Sequence, residues 1–326
     1  MTTLITGGIG WVPSNITRAI AATGEQVVTY DLMEPDDMFD ELLGELRANV
    51  TTFAGDITNV EQLREVCARY GITSIIHAAA ITPRRDREMR EPARIIDVNL
   101  GGTVNVLDVA RTLPNFRRFI YISSGAAIGE VPDAEIIDET TPSHATSLYG
   151  ITKHTSERVV SRYRTLFDLD AVSVRLANVF GPMERITPGY VGATELREML
   201  RIHFDGQPVK VNSLAGPWLD WTYVGDIAEG IRRIWEARAL RHDVYTNTRS
   251  QLHSIGEVLE AFARHLPGFR YEQVERDQAN YIVSGSEPGA VPSNARMRDE
   301  LGWTPPTSFD AGMRQYLDWI QQHGPQ

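Results

Sequence analysis

Cysteine is nearly absent. Cys67 stands alone in 326 residues, which excludes an intramolecular disulfide and any Cys-rich zinc cluster. Lysine is almost as scarce: of 32 basic residues only Lys153 and Lys210 are lysines. Arginine stays protonated in proteins whereas lysine can shift its pKa near a reacting group, so a lysine in this chain is a candidate for chemistry. No apolar run reaches the ~18 residues of a membrane span, so no membrane is expected as a partner. Residues 1–7 lack the charged and apolar stretches of a signal peptide. Positive charge is in deficit too, with 43 acidic residues and a net charge of −11. Phosphate backbones need clustered cations, so nucleic acid is not an expected partner. Together these absences lead to the expectation of a soluble, cytoplasmic protein.

What remains is an ordinary globular composition, 42% hydrophobic and 23% charged, sufficient for a core without staples. Short apolar runs at 3–6, 26–30, 50–53, 74–78 and 119–123 read as buried strands. Amphipathic stretches at 14–22, 60–70 and a long one over 93–113 read as helices between them. That alternation predicts an α/β fold, a doubly wound parallel sheet with helices on both faces. A further helix is expected over 148–167 and a strand over 171–176. Beyond Pro182 the pattern loosens into a smaller α/β region, with helices expected at 226–236, 255–265 and 309–322.

Thr6-Gly7-Gly8-Ile9-Gly10-Trp11-Val12-Pro13 closes the first strand and opens the first helix, the context a glycine-rich dinucleotide turn requires. Glycines let the backbone turn sharply and let a pyrophosphate approach the N–H groups of the helix start. Gly7 and Gly10 keep the G-x-x-G-x-x-G spacing, while Pro13 takes the third position. Proline suits the first turn of a helix, so what it alters is the closeness of helix–strand packing. Asp31 ends the second strand, where an acid accepts hydrogen bonds from a ribose diol. No Arg or Lys stands at 32–37 to hold a 2′-phosphate, so NAD is expected rather than NADP.

Tyr149-Gly150-Ile151-Thr152-Lys153 sets a phenol and an ammonium four residues apart, on one face of a helix. Eleven tyrosines and two lysines would give only about 0.07 such pairs by chance. A free phenol is a poor base at neutral pH, and a neighbouring cation is expected to lower its pKa toward the working range. Tyr121-Ile122-Ser123-Ser124 ends the fifth strand, where the Ser124 hydroxyl can either meet a substrate oxygen or cap the strand end. His77, His144 and His154 lack zinc spacing with partner ligands, and no G-x-S-x-G string exists for a serine hydrolase. No metal is expected.

These strings, with Gly55-Asp56-Ile57, His77-Ala78-Ala79-Ala80, Val98-Asn99, Ser123 to Gly129, Arg175 to Pro182 and Asp220 to Asp226, occur in family order. Together the chain resembles an extended short-chain dehydrogenase/reductase of the NAD-dependent epimerase/dehydratase group, over nearly its whole length. The resemblance implies a Rossmann-type sheet and NAD as cofactor. It implies Tyr149 as general base, Lys153 as its electrostatic partner and ribose ligand, and Ser124 as second donor to the substrate oxygen. Gly7, Gly10, Trp11, Val12, Asp31, Asp56, Ile57, Ala78, Ala79, Ala80 and Asn99 are the remaining cofactor candidates. Residues 1–180 would hold NAD and the Tyr/Lys pair, and 181–326 the substrate, with part of 215–245 returning to the first unit. A homodimer is implied through helices near 93–113 and 152–167.

Three departures bear on the substrate. Nucleotide-sugar members usually carry an arginine just ahead of the aspartate here numbered Asp220, where its fork pairs with the diphosphate; this chain has Leu219. Either the substrate carries no diphosphate, or another arginine such as Arg185 supplies the charge. The 4,6-dehydratases of the family follow the catalytic hydroxyl with an Asp-Glu pair, where this chain has Gly125-Ala126, so elimination of water is not expected. The segment from Thr82 to Arg90 is rich in arginine. It reads either as a solvated, salt-bridged face or as one that turns Arg84 or Arg85 toward an anion. Thr82, Arg84, Ser124, Gly125, Ala126, Asn178, Arg185 and Trp221 are the substrate-site candidates. Trp11, Trp218 and Trp221 serve equally as apolar walls or as core. The leading expectation is an NAD-dependent oxidoreductase acting on a secondary alcohol of a small polar, sugar-like substrate. The alternatives are a sugar epimerase and, in another class, an NAD-binding sensor or scaffold without chemistry.

Overall fold

The computed structural model describes residues 1–82, 85–131, 134–190, 194–285 and 289–325. Runs of β-branched and aromatic residues bounded by turn residues become strands, as their shape on a pleated, buried surface favours. In chain order these begin β1 (Thr2–Thr6), α1 (Trp11–Ala21), β2 (Gln26–Asp31), α2 (Asp37–Leu43), β3 (Val50–Ala54), α3 (Val60–Tyr70) and β4 (Ser74–His77). Next come α4 (Arg85–Arg90), α5 (Pro92–Ile96), a π turn (Asp97–Gly101), α6 (Gly102–Ala110), β5 (Arg118–Ile122) and β6 (Ile136–Ile137). The chain continues with α7 (Leu148–Phe167), β7 (Ala171–Leu176), β8 (Asn178–Phe180), α8 (Glu195–Phe204), β9 (Val209–Val211) and β10 (Leu219–Tyr223). It ends with α9 (Val224–Glu236), β11 (Val244–Asn247), β12 (Leu252–His253), α10 (Ile255–His265), β13 (Tyr271–Gln273), β14 (Val291–Pro292), α11 (Ala295–Leu301) and α12 (Phe309–His323).

Seven strands form one parallel sheet in the order β11-β7-β5-β4-β1-β2-β3. The order reverses between β1 and β4, and such a switch point leaves a crevice at the carboxyl ends of the strands. One face is covered by α1, α2 and α9, which bury Ile16, Ile20, Phe39, Ile227, Ile231 and Trp235 against it. The other face takes α3, α5, α6 and α7 through Leu63, Ile95, Val106, Leu107 and Val160. A third core, around Phe180, Leu200, Trp221, Leu259, Phe262 and Tyr316, belongs to the C-terminal elements. There β8, β10 and β12 form a small sheet of their own.

The expected continuous helix over 93–113 is not what forms. Pro92 starts a short α5, the backbone widens into the π turn, and α6 ends at Ala110. Asn99, inside that turn, exchanges two hydrogen bonds with the Ile81 backbone, accepting at 2.7 Å and donating at 3.0 Å. A side chain held sideways by a neighbouring strand end is a tertiary demand that helical periodicity does not carry. The helix expected at 226–236 forms over Val224–Glu236, where it covers the large sheet and packs on α1. Strand β11 likewise adds to the large sheet beside β7.

Candidate active site

Gly7 turns the chain at the end of β1 with φ +68°, and a Cβ there would lie 2.8 Å from Ala79 Cα. Both facts require glycine. Gly10 precedes α1 in extended geometry, and among the described residues no side chain caps the first N–H groups of the helix. Pro13 sits in that first turn, where its missing N–H has no helical partner to lose, and α1 runs on intact. Asp31, closing β2, accepts from Ile9 N at 2.9 Å and Met33 N at 3.0 Å, so it fixes the turn it faces. Burial pushes its carboxyl up, against those N–H groups and the nearby Arg185. Asp56 is stripped of water as well, yet the N–H and hydroxyl of Thr58 and the guanidinium of Arg94 bring its carboxyl below the usual range.

The second group gathers at the end of β5. Ser147 caps α7, accepting from Gly150 N at 3.1 Å, and so sets Tyr149 and Lys153 on the side of the helix that meets the sheet. Lys153 is buried; its Nζ donates to the Ile122 carbonyl at 2.6 Å and lies 4.7 Å from the Tyr121 ring and 5.6 Å from the Tyr149 ring. Burial pulls its ammonium down to about 7, against the charge of Glu157. Burial pushes the Tyr149 phenol up, and a hydrogen bond with Ser124 opposes this in part. His77 bonds Thr6 Oγ1 at 2.6 Å and Thr103 Oγ1 at 3.0 Å, and burial with the Lys153 charge lowers it to about 3. It is a neutral sheet residue.

Both groups open on one cavity of about 510 Å³. Every cofactor candidate except Asn99 lines it. Asn99 stands behind, bracing Ile81, which does line it. Of the substrate candidates, Thr82, Ser124, Asn178 and Trp221 line the wall, whereas Gly125 and Ala126 do not. Arg84 lies outside the described residues. Arg185 is not on the wall either: it is buried beneath the glycine turn, donating to the Ile9 carbonyl at 2.8 Å and pairing with Asp36. Trp218 is also off the wall, while Trp11 lines it and tilts against Tyr190 at 5.9 Å. Tyr190 and Glu195 are wall residues that sequence reasoning missed, since neither belongs to a spacing pattern. The Thr-Glu pair at 194–195 is legible only as a helix start, with Thr194 accepting from Arg197 N.

The residues present fit a dinucleotide. Gly7 leaves room no side chain would allow, and the buried indole N–H of Trp11, on the cavity wall, has no hydrogen-bond partner among the described residues. A parallel sheet with a glycine turn at its switch point and an acid closing β2 defines a Rossmann-type, dinucleotide-dependent protein. Residues 3–246 match the NAD dependent epimerase/dehydratase family, and the chain belongs to it, among the extended short-chain dehydrogenases/reductases, whose cofactor is NAD. The chain is 24% identical to a dTDP-glucose 4,6-dehydratase of Xanthomonas campestris, over 98% of its own length and 92% of the relative's. A UDP-glucose 4-epimerase of Thermus thermophilus, solved with NAD, superposes with a TM-score of 0.79 at 26% identity, covering 98% and 99%. A UDP-glucuronic acid 4-epimerase of Bacillus cereus, solved with UDP-glucuronic acid and NAD, shares the fold at TM-score 0.81 and 20% identity, covering 99% and 100%. Among the described residues no helix is long and apolar enough to cross a membrane.

Proposed function

We propose that this protein is an NAD-dependent oxidoreductase that oxidises a secondary alcohol of a small, polar, sugar-like substrate. The observation that carries the reading is the meeting of Ser124, Tyr149 and Lys153 on the wall that also holds the glycine turn. Bound NAD would supply the hydride acceptor; Gly7, the start of α1, Asp31 and Lys153 would hold it. Tyr149 would take the proton of the substrate hydroxyl once the positive charges of Lys153 and of the bound oxidised cofactor offset the burial that holds its phenol up, and the Ser124 hydroxyl would orient the same oxygen. Lys153 supplies positive charge beside the phenol, and the Ile122 carbonyl holds its amine in place.

Charge on the wall supports a substrate without a diphosphate. Leu219 stands where the family's tethering arginine would be. Among the described lining residues each cation already has a protein partner: Arg87 with Glu91 and the Pro188 carbonyl, Arg94 with Asp56, and Lys153 with Ile122. Among the described residues Glu195, by contrast, has only its own backbone amide as a hydrogen-bond partner. A diphosphate beside that carboxylate would be repelled, whereas a hydroxyl would donate to it.

The relatives support a second reading, a sugar epimerase, in which the keto intermediate is reduced again on its other face. A tether is needed while that intermediate turns over, and Leu219 weakens the usual one. Aldoses, uronic and aldonic acids, polyols and nucleotide sugars assayed with NAD separate the two. The proposed activity gives one NADH per product by ultraviolet absorbance; product without net NADH would establish the epimerase instead. We also propose a homodimer through α5 and α7, where Ile96, Ile151, Leu166 and Phe167 are exposed apolar residues.

A further inference from the structure

Behind the proposed catalytic face lies a charged cluster that the reaction above does not use. Glu157 follows Lys153 by one turn of α7, on the same buried side. Its Oε1 accepts from Ser123 Oγ at 2.5 Å and Arg175 Nε at 2.9 Å, and its Oε2 accepts from Arg175 Nη2 at 2.7 Å. Lys153 and Glu157 are each 2% exposed, Ser123 3% and Arg175 4%. A buried ion pair gains little net stability, because taking two charges out of water offsets their attraction. Fold stability alone is therefore a weak reason for this one.

We propose that Glu157 is a positioning residue: it holds the buried Lys153 amine in its charged form and seats Ser123, while Arg175 tempers the field that reaches the lysine. The inference rests on the role given to Lys153 above. The titratable groups around that amine come from β4, β5 and α7, and a cation on β7 is paired to Glu157. His77 on β4 is neutral. Tyr121 on β5 has its phenol pushed far up by burial, and Tyr149 on α7 is pushed up likewise. Arg175 on β7 has the same sign as the lysine and is paired twice with Glu157. Glu157 is thus the one opposite charge among them, and it opposes the desolvation that would leave a neutral amine.

The shortage of lysine makes this directly measurable. Amine chemistry on the full chain reads Lys153, with the more exposed Lys210 as a reference in the same molecule. The experiment is the pH dependence of acetylation by acetic anhydride, resolved by peptide mass spectrometry. Glu157→Gln lowers the Lys153 midpoint by about one pH unit. Arg175→Gln raises it, since the carboxylate loses its counter-charge, and Glu157→Asp keeps it near the wild-type value. The Lys210 midpoint stays fixed throughout. An unmoved Lys153 midpoint in Glu157→Gln, or one that moves the same way in both charge-removing variants as general loosening would make it, overturns the proposal. If Glu157→Gln does not fold, the sign of the Arg175→Gln shift decides alone. The readout needs neither substrate nor turnover. A fixed midpoint therefore refutes Glu157 without touching the oxidoreductase reading, and an absence of NADH refutes that reading without touching Glu157.

Discussion

The two ends of the cavity are built by different means. At the end proposed for the dinucleotide the wall is backbone and strand register: Thr6 pairs with Tyr30 on one side and His77 on the other, so the turns after β1, β2 and β4 converge by the geometry of the sheet. At the end proposed for the substrate the wall is assembled from distant segments by single bonds. Thr82 donates through its N–H and hydroxyl to the Gly189 carbonyl, 107 residues away, and Arg87 reaches the Pro188 carbonyl. The first end tolerates few residue types and reads the same in any chain that folds this way. The second can be rewritten one side chain at a time without moving the sheet, which is how one scaffold serves many substrates.

The comparison can be broken most severely between the two ends, at Tyr149. Tyr149→Phe should reduce turnover about 10²–10⁴-fold while NAD affinity stays near wild type. Turnover left unchanged at saturating NAD would remove the phenol from the chemistry and leave only the nucleotide end intact. Next in size is Asp31→Ala. A hydrogen bond to a charged group is worth about 1.5–3 kcal/mol, so titration calorimetry should show NAD binding weakened roughly tenfold or more. Discrimination against NADP should fall with it; an undiminished preference would take Asp31 off the ribose. The smallest effect sharpens the other end. Glu195→Gln should raise KM for an uncharged sugar by a few-fold and lower it for the matching uronate, with kcat little changed, as expected when one neutral hydrogen bond and one repulsion are exchanged. Equal KM shifts for both sugars would mean that Glu195 does not face the substrate.

How much could be read beforehand follows the same division. Helices Val60–Tyr70, Leu148–Phe167 and Ile255–His265 and the strand Ala171–Leu176 keep the bounds that periodicity assigns. Burial of one face repeats along each of those helices, and repetition is what a sequence displays. The glycine turn and Asp31 were legible because their spacing to a strand end is dictated by the sheet. Arg185 was not, since nothing in its neighbourhood announces that Asp36, 149 positions earlier, engages its guanidinium. Glu195 and Tyr190 were equally silent, as wall residues selected by tertiary approach alone. The burial of Tyr149 is illegible for a related reason: a four-residue spacing tells that two groups are neighbours, but not that water is excluded from both.

The π turn at Asp97–Gly101 amounts to a phase correction. A residue added within one turn rotates all that follows by about 100°. With that offset Thr103 bonds both the Asn99 carbonyl, at 2.6 Å, and His77. The same offset presents Gly102 to Ile57, where a Cβ would sit 2.4 Å from Cδ1. Deleting one residue of the turn would therefore restore a smooth spiral and yet damage the molecule. Thr103 would swing off His77, a side chain would face Ile57 in place of Gly102, and the cavity wall at Ile57 would be pushed inward. Irregularity in this helix is the setting that keeps its two arms in register with the sheet.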